Sequence, residues 1–180
     1  FFDDVDVPAS NLVGEENNGW YHLMESLSYE RGWVAPQMSG TARRVLKELL
    51  EYTKQTQYMG KPLSQNLIIR HKLADRAIEA EMLRMLAYET VWKMSQGIRI
   101  IYEPSRDKSF SDEIIERIAI TGTEILGAYA QVDPYSRWAR IRGSIQHLYL
   151  LCLGTSIAAG TDDIERNIVG QFGLGLPRSY

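Results

Sequence analysis

The sequence predicts an all-α protein: an antiparallel up-and-down helical bundle with a short strand ahead of it. Two observations predict this. Apolar residues Trp20, Met24, Leu27, Val34, Met38, Val45 and Leu49 recur at steps of three and four or their sum, the pattern of one buried stripe on a long helix. Long helical patterns then follow one another with only short turns between them, which sets successive helices side by side and antiparallel.

The elements follow in order. FFDDVDVP reads as a strand entered partway through, because Phe2, Val5 and Val7 alternate with acidic residues, as in the tail of a sheet that lies elsewhere. PASNLVGEENNG has the content of a surface turn. Residues 1–18 are therefore assigned to the tail of a β-domain and a linker, and residues 19–180 to a helical-bundle domain.

The first helix is expected from Trp20 to Gln55 as one helix kinked at Pro36, since proline cannot donate to the carbonyl of Gly32. Met59, Gly60, Lys61 and Pro62 form a turn. A second helix is expected from Ser64 to Ser95, with Leu67, Ala74, Ile78, Met82, Met85 and Trp92 on one face and Gly97 as terminator. Ile98 to Tyr102 is a short apolar run, strand or loop, closed by Pro104. A third helix from about Ser105 to Leu126 uses Phe110, Ile114, Ile118 and Ile125 and ends at Gly127. Asp133-Pro134 marks a turn before a fourth helix, Tyr135 to Ala158. Gly160 breaks that helix ahead of a short last one, Asp162 to Gln171.

At 180 residues the chain is long enough for one sizeable core, and its apolar and charged fractions are ordinary for a soluble globular protein. A net charge of −3 leaves no basic footprint for nucleic acid. The single cysteine, Cys152, sits in an apolar run without an intrachain partner, which fits packing in a reducing, cytoplasmic setting. The most apolar stretch, Leu148 to Gly160, is too short and too rich in small residues to span a bilayer. His22, His71 and His147 show no metal-ligand spacing, so no metal site is expected; His71 is assigned to the apolar side of the second helix as a hydrogen-bonded core residue.

Two segments carry candidate chemistry. In LSYERGWVA, Arg31 falls on the buried stripe and Glu30 beside it, so both are expected to look inward. Charged residues so placed are paired, or they face a cavity or ligand. A structural ion pair, a stripe edge exposed to water and a working site are all open on this ground. In AAGTDDIERNIVG, Thr161 is positioned to cap the last helix, with Asp162 and Asp163 at its positive end. Capping explains the segment; an anionic cofactor meeting Thr161 and the free N–H groups is the alternative.

Taken together, FFDDVDVPASNLVGEENNGW, YMGKPL, IIRHKLAD, GTDDIERNIVG and LGLPR resemble, in order and near-normal spacing, the C-terminal half of an acyl-CoA dehydrogenase. The resemblance implies a three-domain flavoenzyme, of which this is the C-terminal bundle, and the α,β-dehydrogenation of an acyl-CoA thioester. A carboxylate takes the α-proton while the β-hydride passes to FAD. The family carries that base in a Tyr-Glu-Gly-Thr motif or on the first long helix of this domain, in the pattern Leu-x-x-Glu-Arg. Here the first location reads Ala158, Ala159, Gly160, Thr161, without the glutamate, whereas Leu27 to Arg31 matches the second. The resemblance therefore implies Glu30 as base and Arg31 as its supporting charge. The family resembled includes enzymes of fatty-acid and steroid side-chain degradation.

On the cofactor side, Thr161 matches a position that contacts the FAD of its own subunit, and Asp163 stands where Gln or Glu is common. Where relatives have Arg-x-Gln-Phe-Gly, this chain has Thr56, Gln57, Tyr58, Met59 and Gly60. Of the motif Gln-x-x-Gly-Gly-x-Gly, running here from Glu124 to Ala130, only Gly127 survives. Losing the arginine removes a charge-assisted bond worth roughly 1.5–3 kcal/mol. The resemblance thus implies FAD, an electron-transfer flavoprotein or similar acceptor, and a homo- or hetero-tetramer. The alternative is a flavin-poor, non-catalytic partner subunit that serves assembly.

Overall fold

The computed structural model describes residues 1–178. Five α-helices make the bundle: α1 Gly19–Gln55, α2 Leu67–Ser95, α3 Glu103–Leu126, α4 Ser144–Thr155 and α5 Asp162–Ile168. Between α1 and α2 lies a two-stranded hairpin, β1 Gln57–Tyr58 and β2 Lys61–Pro62, paired antiparallel with Gln57 opposite Pro62. Its turn places Met59 and Gly60 both at positive φ, as a tight two-residue hairpin demands.

Helix α3 is the centre. It packs on α1, α2, α4 and α5, and its Ile114, Ile115, Ile118 and Ala119 are fully or nearly fully buried. From α1 the core receives Ala35, Met38, Ala42, Val45, Leu46 and Leu49. Gly122 lets α4 come close to α3, since a Cβ there would overlap the side chain of Ile145. Helix α1 runs unbroken through Pro36. Asn66 caps α2 by accepting hydrogen bonds from the amides of Ile68 (2.9 Å) and Ile69 (3.4 Å). Gly97, at φ +67, lies just past the end of α2, and Gly127, at φ +57, caps α3. Cys152 is buried and free.

Several expectations are corrected. Residues 1–8 form no strand; they are exposed, and a strand with no neighbour to pair with has nothing to hold it. The expected apolar face of α2 points outward: Leu67, Ala74, Ile78, Met82, Met85 and Trp92 are all exposed, whereas Leu73, Ala80, Leu83, Ala87 and Thr90 are buried. Small residues on the inner side let α2 lie close to the bundle and leave the bulkier stripe free. His71 is exposed with that stripe. Helix α4 starts at Ser144 rather than Tyr135, because Ile141, Arg142 and Gly143 are consecutively left-handed and interrupt any helix there. The last α-helix ends at Ile168 and passes into a wider π-type turn, Val169–Gly173. Residues Ile98 to Tyr102 are neither strand nor helix, and α3 begins at Glu103 with Pro104 in its first turn.

Candidate functional site

The first half of α3, EPSRDKSFSD, is polar on every side and yet buried. Each charge there has a partner. Lys93 donates to Glu103 at 2.9 Å, and Glu103 also accepts from the amide of Ile101. Arg106 donates to Asp107 at 2.7 Å, and Thr90 donates to the same carboxylate. Lys108, 1% exposed, pairs with Asp112, 3% exposed, at 2.7 Å. Burial pushes the Asp112 carboxyl up to about 6, against the opposing pull of Lys108 and with a further push from Asp162.

Lys108 has a second contact. Its Nζ donates to the carbonyl of Gly160 at 2.6 Å, in the loop between α4 and α5. The neighbouring carbonyl, Ala159, accepts from Arg31 Nε at 2.9 Å. Arg31 also lies 3.0 Å from the carboxylate of Glu165, which is wholly buried on α5. Ala159 and Gly160 both have positive φ, +58 and +108, and a Cβ on Gly160 would overlap Glu165 Oε1. Two cations from two helices thus hold two consecutive carbonyls of one strained loop. On the outer side of α5, Arg166 donates to Glu113 of α3 at 2.6 Å, so this helix is tied down from both flanks.

Arg31 looks inward, as its place on the stripe predicted, and its partner is Glu165. Glu30 does not: its side chain is exposed. One residue of α-helix turns about 100°, which carries Glu30 from the core face to the flank. The expectation that both charges face inward is correct for Arg31 and corrected for Glu30. Leu23, Met24 and Tyr29, also exposed, lie on the same end of α1. Thr161 occupies the N-cap position of α5, but its side chain makes no capping bond. Asp163 is exposed, 4.0 Å from Arg166. Gly127 lines a cavity of about 620 Å³ with Thr123, Ala130, Gln131, Gln146, Tyr149 and Leu150. Along α3 it lies 19 residues from Lys108, about 28 Å at 1.5 Å per residue. Within one chain Gly127 therefore does not share a site with Arg31 and Thr161.

Sequence reasoning missed Lys108, Asp112 and Glu165. The available signal was a helical segment of ten residues with hardly an apolar side chain, lying between two strongly apolar parts of the chain. Among the described residues no cluster of three or more metal-ligating side chains occurs, and no helix is long and apolar enough to cross a membrane.

Comparison with known proteins matches this geometry to a family. The family model "Acyl-CoA dehydrogenase, C-terminal domain" matches residues 17–174. An acyl-CoA dehydrogenase of Bacillus subtilis is 31% identical over 174 residues, which is 97% of this chain and 44% of that protein. The chain thus spans somewhat under half the length of the curated relatives it matches. Among solved structures, butyryl-CoA dehydrogenase from Megasphaera elsdenii superposes with a TM-score of 0.87 at 29% identity, covering 96% of this chain and 43% of that one. A chain of the ChsE4–ChsE5 complex from Mycobacterium tuberculosis gives a TM-score of 0.87 at 29% identity, covering 99% of this chain and 46% of that one. The family match over most of its length and the shared fold establish that this chain belongs to the acyl-CoA dehydrogenase family, as its C-terminal helical domain.

Proposed function

We propose that this chain is the C-terminal part of an FAD-dependent acyl-CoA dehydrogenase in which Glu30 is the base that takes the α-proton of an acyl-CoA thioester. One observation carries the reading. Glu30 is a carboxylate without a partner among the described residues, next to an arginine that locks α1 to the loop bearing Thr161. A base must be free to meet its proton at hydrogen-bond distance, roughly 2.6–3.2 Å between heavy atoms, while its backbone is held still. Arg31 holds the backbone, and the 100° turn from Arg31 to Glu30 presents the carboxyl to whatever packs on the exposed end of α1. The apolar and aromatic residues around it supply a surface that excludes water once covered.

The residues present fit FAD in part. The Thr161 hydroxyl is exposed and makes no bond to a described residue, and Gly127 opens a cavity at the far end of α3. Bound FAD would supply the acceptor for the β-hydride. Within this chain, Thr161 and Asp163 would contact the flavin of the same subunit and Gly127 that of a neighbour. Assembly as a tetramer is part of the proposal; the exposed stripe of α2 supports it, since five bulky apolar side chains on one helix face, Leu67, Ile78, Met82, Met85 and Trp92, need a cover. An electron-transfer flavoprotein or similar acceptor would reoxidise the complex, in the cytoplasm.

A specific observation favours a second reading. The hairpin Thr56–Gly60 has no arginine to offer a neighbouring flavin, so this chain fits one half of a heteromeric enzyme in which a different subunit supplies it. In the stronger form of that reading it is a non-catalytic partner serving assembly. Replacing Glu30 by Gln in the complete protein separates the two. The catalytic reading expects turnover to fall at least about 10²-fold with flavin content unchanged; the assembly reading expects unchanged turnover.

A further inference from the structure

We infer that Lys108 and Glu165 are positioning residues, which set the loop Ala158–Thr161 against α1 in the one orientation that presents its amides to the candidate site. The inference rests on the dehydrogenase reading of that site. Its physical basis is the geometry of the peptide unit.

In a planar trans peptide the carbonyl of one residue and the N–H of the next point in opposite directions. The Ala159 carbonyl faces Arg31 at 2.9 Å and the Gly160 carbonyl faces Lys108 at 2.6 Å. The amides of Gly160 and Thr161 are therefore turned away from those two cations, and neither donates to a described residue. Such an arrangement is not the resting preference of the chain. Ala159 is held at φ +58 and Gly160 at φ +108. Backbone of this kind persists only where its surroundings over-determine it.

The surroundings form a closed set. Lys108 is fixed by Asp112 one turn along α3 at 2.7 Å, so its ammonium is already aimed when it meets Gly160. Arg31 is fixed by Glu165 at 3.0 Å, and Glu165 fills the space where a Gly160 side chain would lie. The order of action is thus Asp112 to Lys108 to Gly160, and Glu165 to Arg31 to Ala159. The second path also fixes the helical turn that carries Glu30. Lys108 and Glu165 act through other groups, and neither reaches a reactant.

The test uses the complete, flavin-loaded protein with Lys108→Met, Lys108→Arg and Glu165→Gln, and reads two things in each. The first is amide exchange by mass spectrometry on peptides covering 153–164, with peptides covering 41–55 as control. The second is the rate of flavin reduction by an acyl-CoA at saturation. For Lys108→Met and Glu165→Gln we expect exchange of the hydrogen-bonded amides that lead into the loop, Ser156, Ile157 and Ala158, to rise at least tenfold with the control unmoved, and reduction to slow at least tenfold. Lys108→Arg, which can still donate to Gly160, restores both. Faster exchange with unchanged reduction would make the clamp a purely structural feature and overturn the inference; so would slower reduction without faster exchange. If Lys108→Met does not fold, Gly160→Ala carries the same test, because its methyl displaces the loop from Glu165. The inference and the reading beneath it fail separately. A Glu30→Gln protein that still reduces flavin refutes Glu30 as base and leaves the loop measurements standing, whereas Glu30→Gln that loses reduction without loosening the loop supports the base whatever Lys108 does.

Discussion

Consider removing the guanidinium of Arg31 by substitution with Met. Its partner Glu165 is 0% exposed, and neither carboxylate oxygen accepts a hydrogen bond from a described residue, so the ion pair at 3.0 Å is what compensates that charge. Taking one partner from a buried pair strands the other, at a cost of about 3–5 kcal/mol. For a domain of this size that corresponds to a fall in melting temperature of roughly 6–20 °C. Glu165→Leu should cost less, because Arg31 keeps its bond to Ala159 and is 14% exposed, so its charge reaches water. The double variant Arg31→Met/Glu165→Leu removes both charges and should recover much of the loss, since an apolar pair of similar volume is often no worse than a buried ion pair. Urea unfolding of the four proteins in the complete chain measures the cycle. If Arg31→Met costs under about 1 kcal/mol, or the two single losses simply add, Glu165 is not held by Arg31 and the reasoning on the clamp is refuted.

Three further outcomes are expected. Asp112 has a folded-state pKa of about 6, above its ordinary 3.8, so the fold favours its protonated form. Its contribution is full below about pH 3.8 and is lost as pH rises through about 6, on the order of 3 kcal/mol in all; comparing Asp112→Asn with the parent by urea midpoint across that range should show this slope missing from the variant. Gly122→Ala should destabilise by about 1–3 kcal/mol through overpacking on Ile145, and Ile145→Val in the same chain should return part of it, read by thermal unfolding. Ile78→Arg on the exposed face of α2 should leave the fold intact and dissociate the assembly, seen as a lower mass by light scattering; an unchanged mass would show that this face is not a subunit interface.

How much of this was legible in the sequence depended on whether a residue's fate is decided locally. Gly97, Gly127 and the Met59-Gly60 turn mark the element ends where expected, because backbone conformation at a turn is a property of a few neighbours, whereas Pro62 lies in β2 and α2 starts at Leu67 rather than Ser64. The stripe expected from Trp20 to Leu49 holds from Val34 onward, where α1 has core on one side only, and is corrected at its start, where Trp20 and Met24 are exposed. Helix α2 was read inside out. Its amphipathic pattern is real, but the bulky face is turned outward while small Ala80 and Ala87 pack inward, and periodicity alone does not say which face meets the core. The same holds for Glu30: position on a helix gave its angle to within one residue, and 100° decides between core and flank. Lys108 carried a local signal, its place in a polar helical segment with Asp112 one turn on, but its bond to Gly160, 52 residues away, and the pairing of Glu165 with Arg31, 134 residues away, are long-range and nothing local announces them.

Solvent isotope exchange tests the proposed role of Glu30 in removing the α-proton without waiting for turnover. The complete protein is incubated with an acyl-CoA in deuterated water, and deuterium at the α-carbon of the recovered thioester is measured by mass spectrometry for the parent and for Glu30→Gln. Loss of incorporation in the variant, with its flavin still bound, is the predicted result. Deuterium entering at the parental rate without the Glu30 carboxylate would mean that another group is the base.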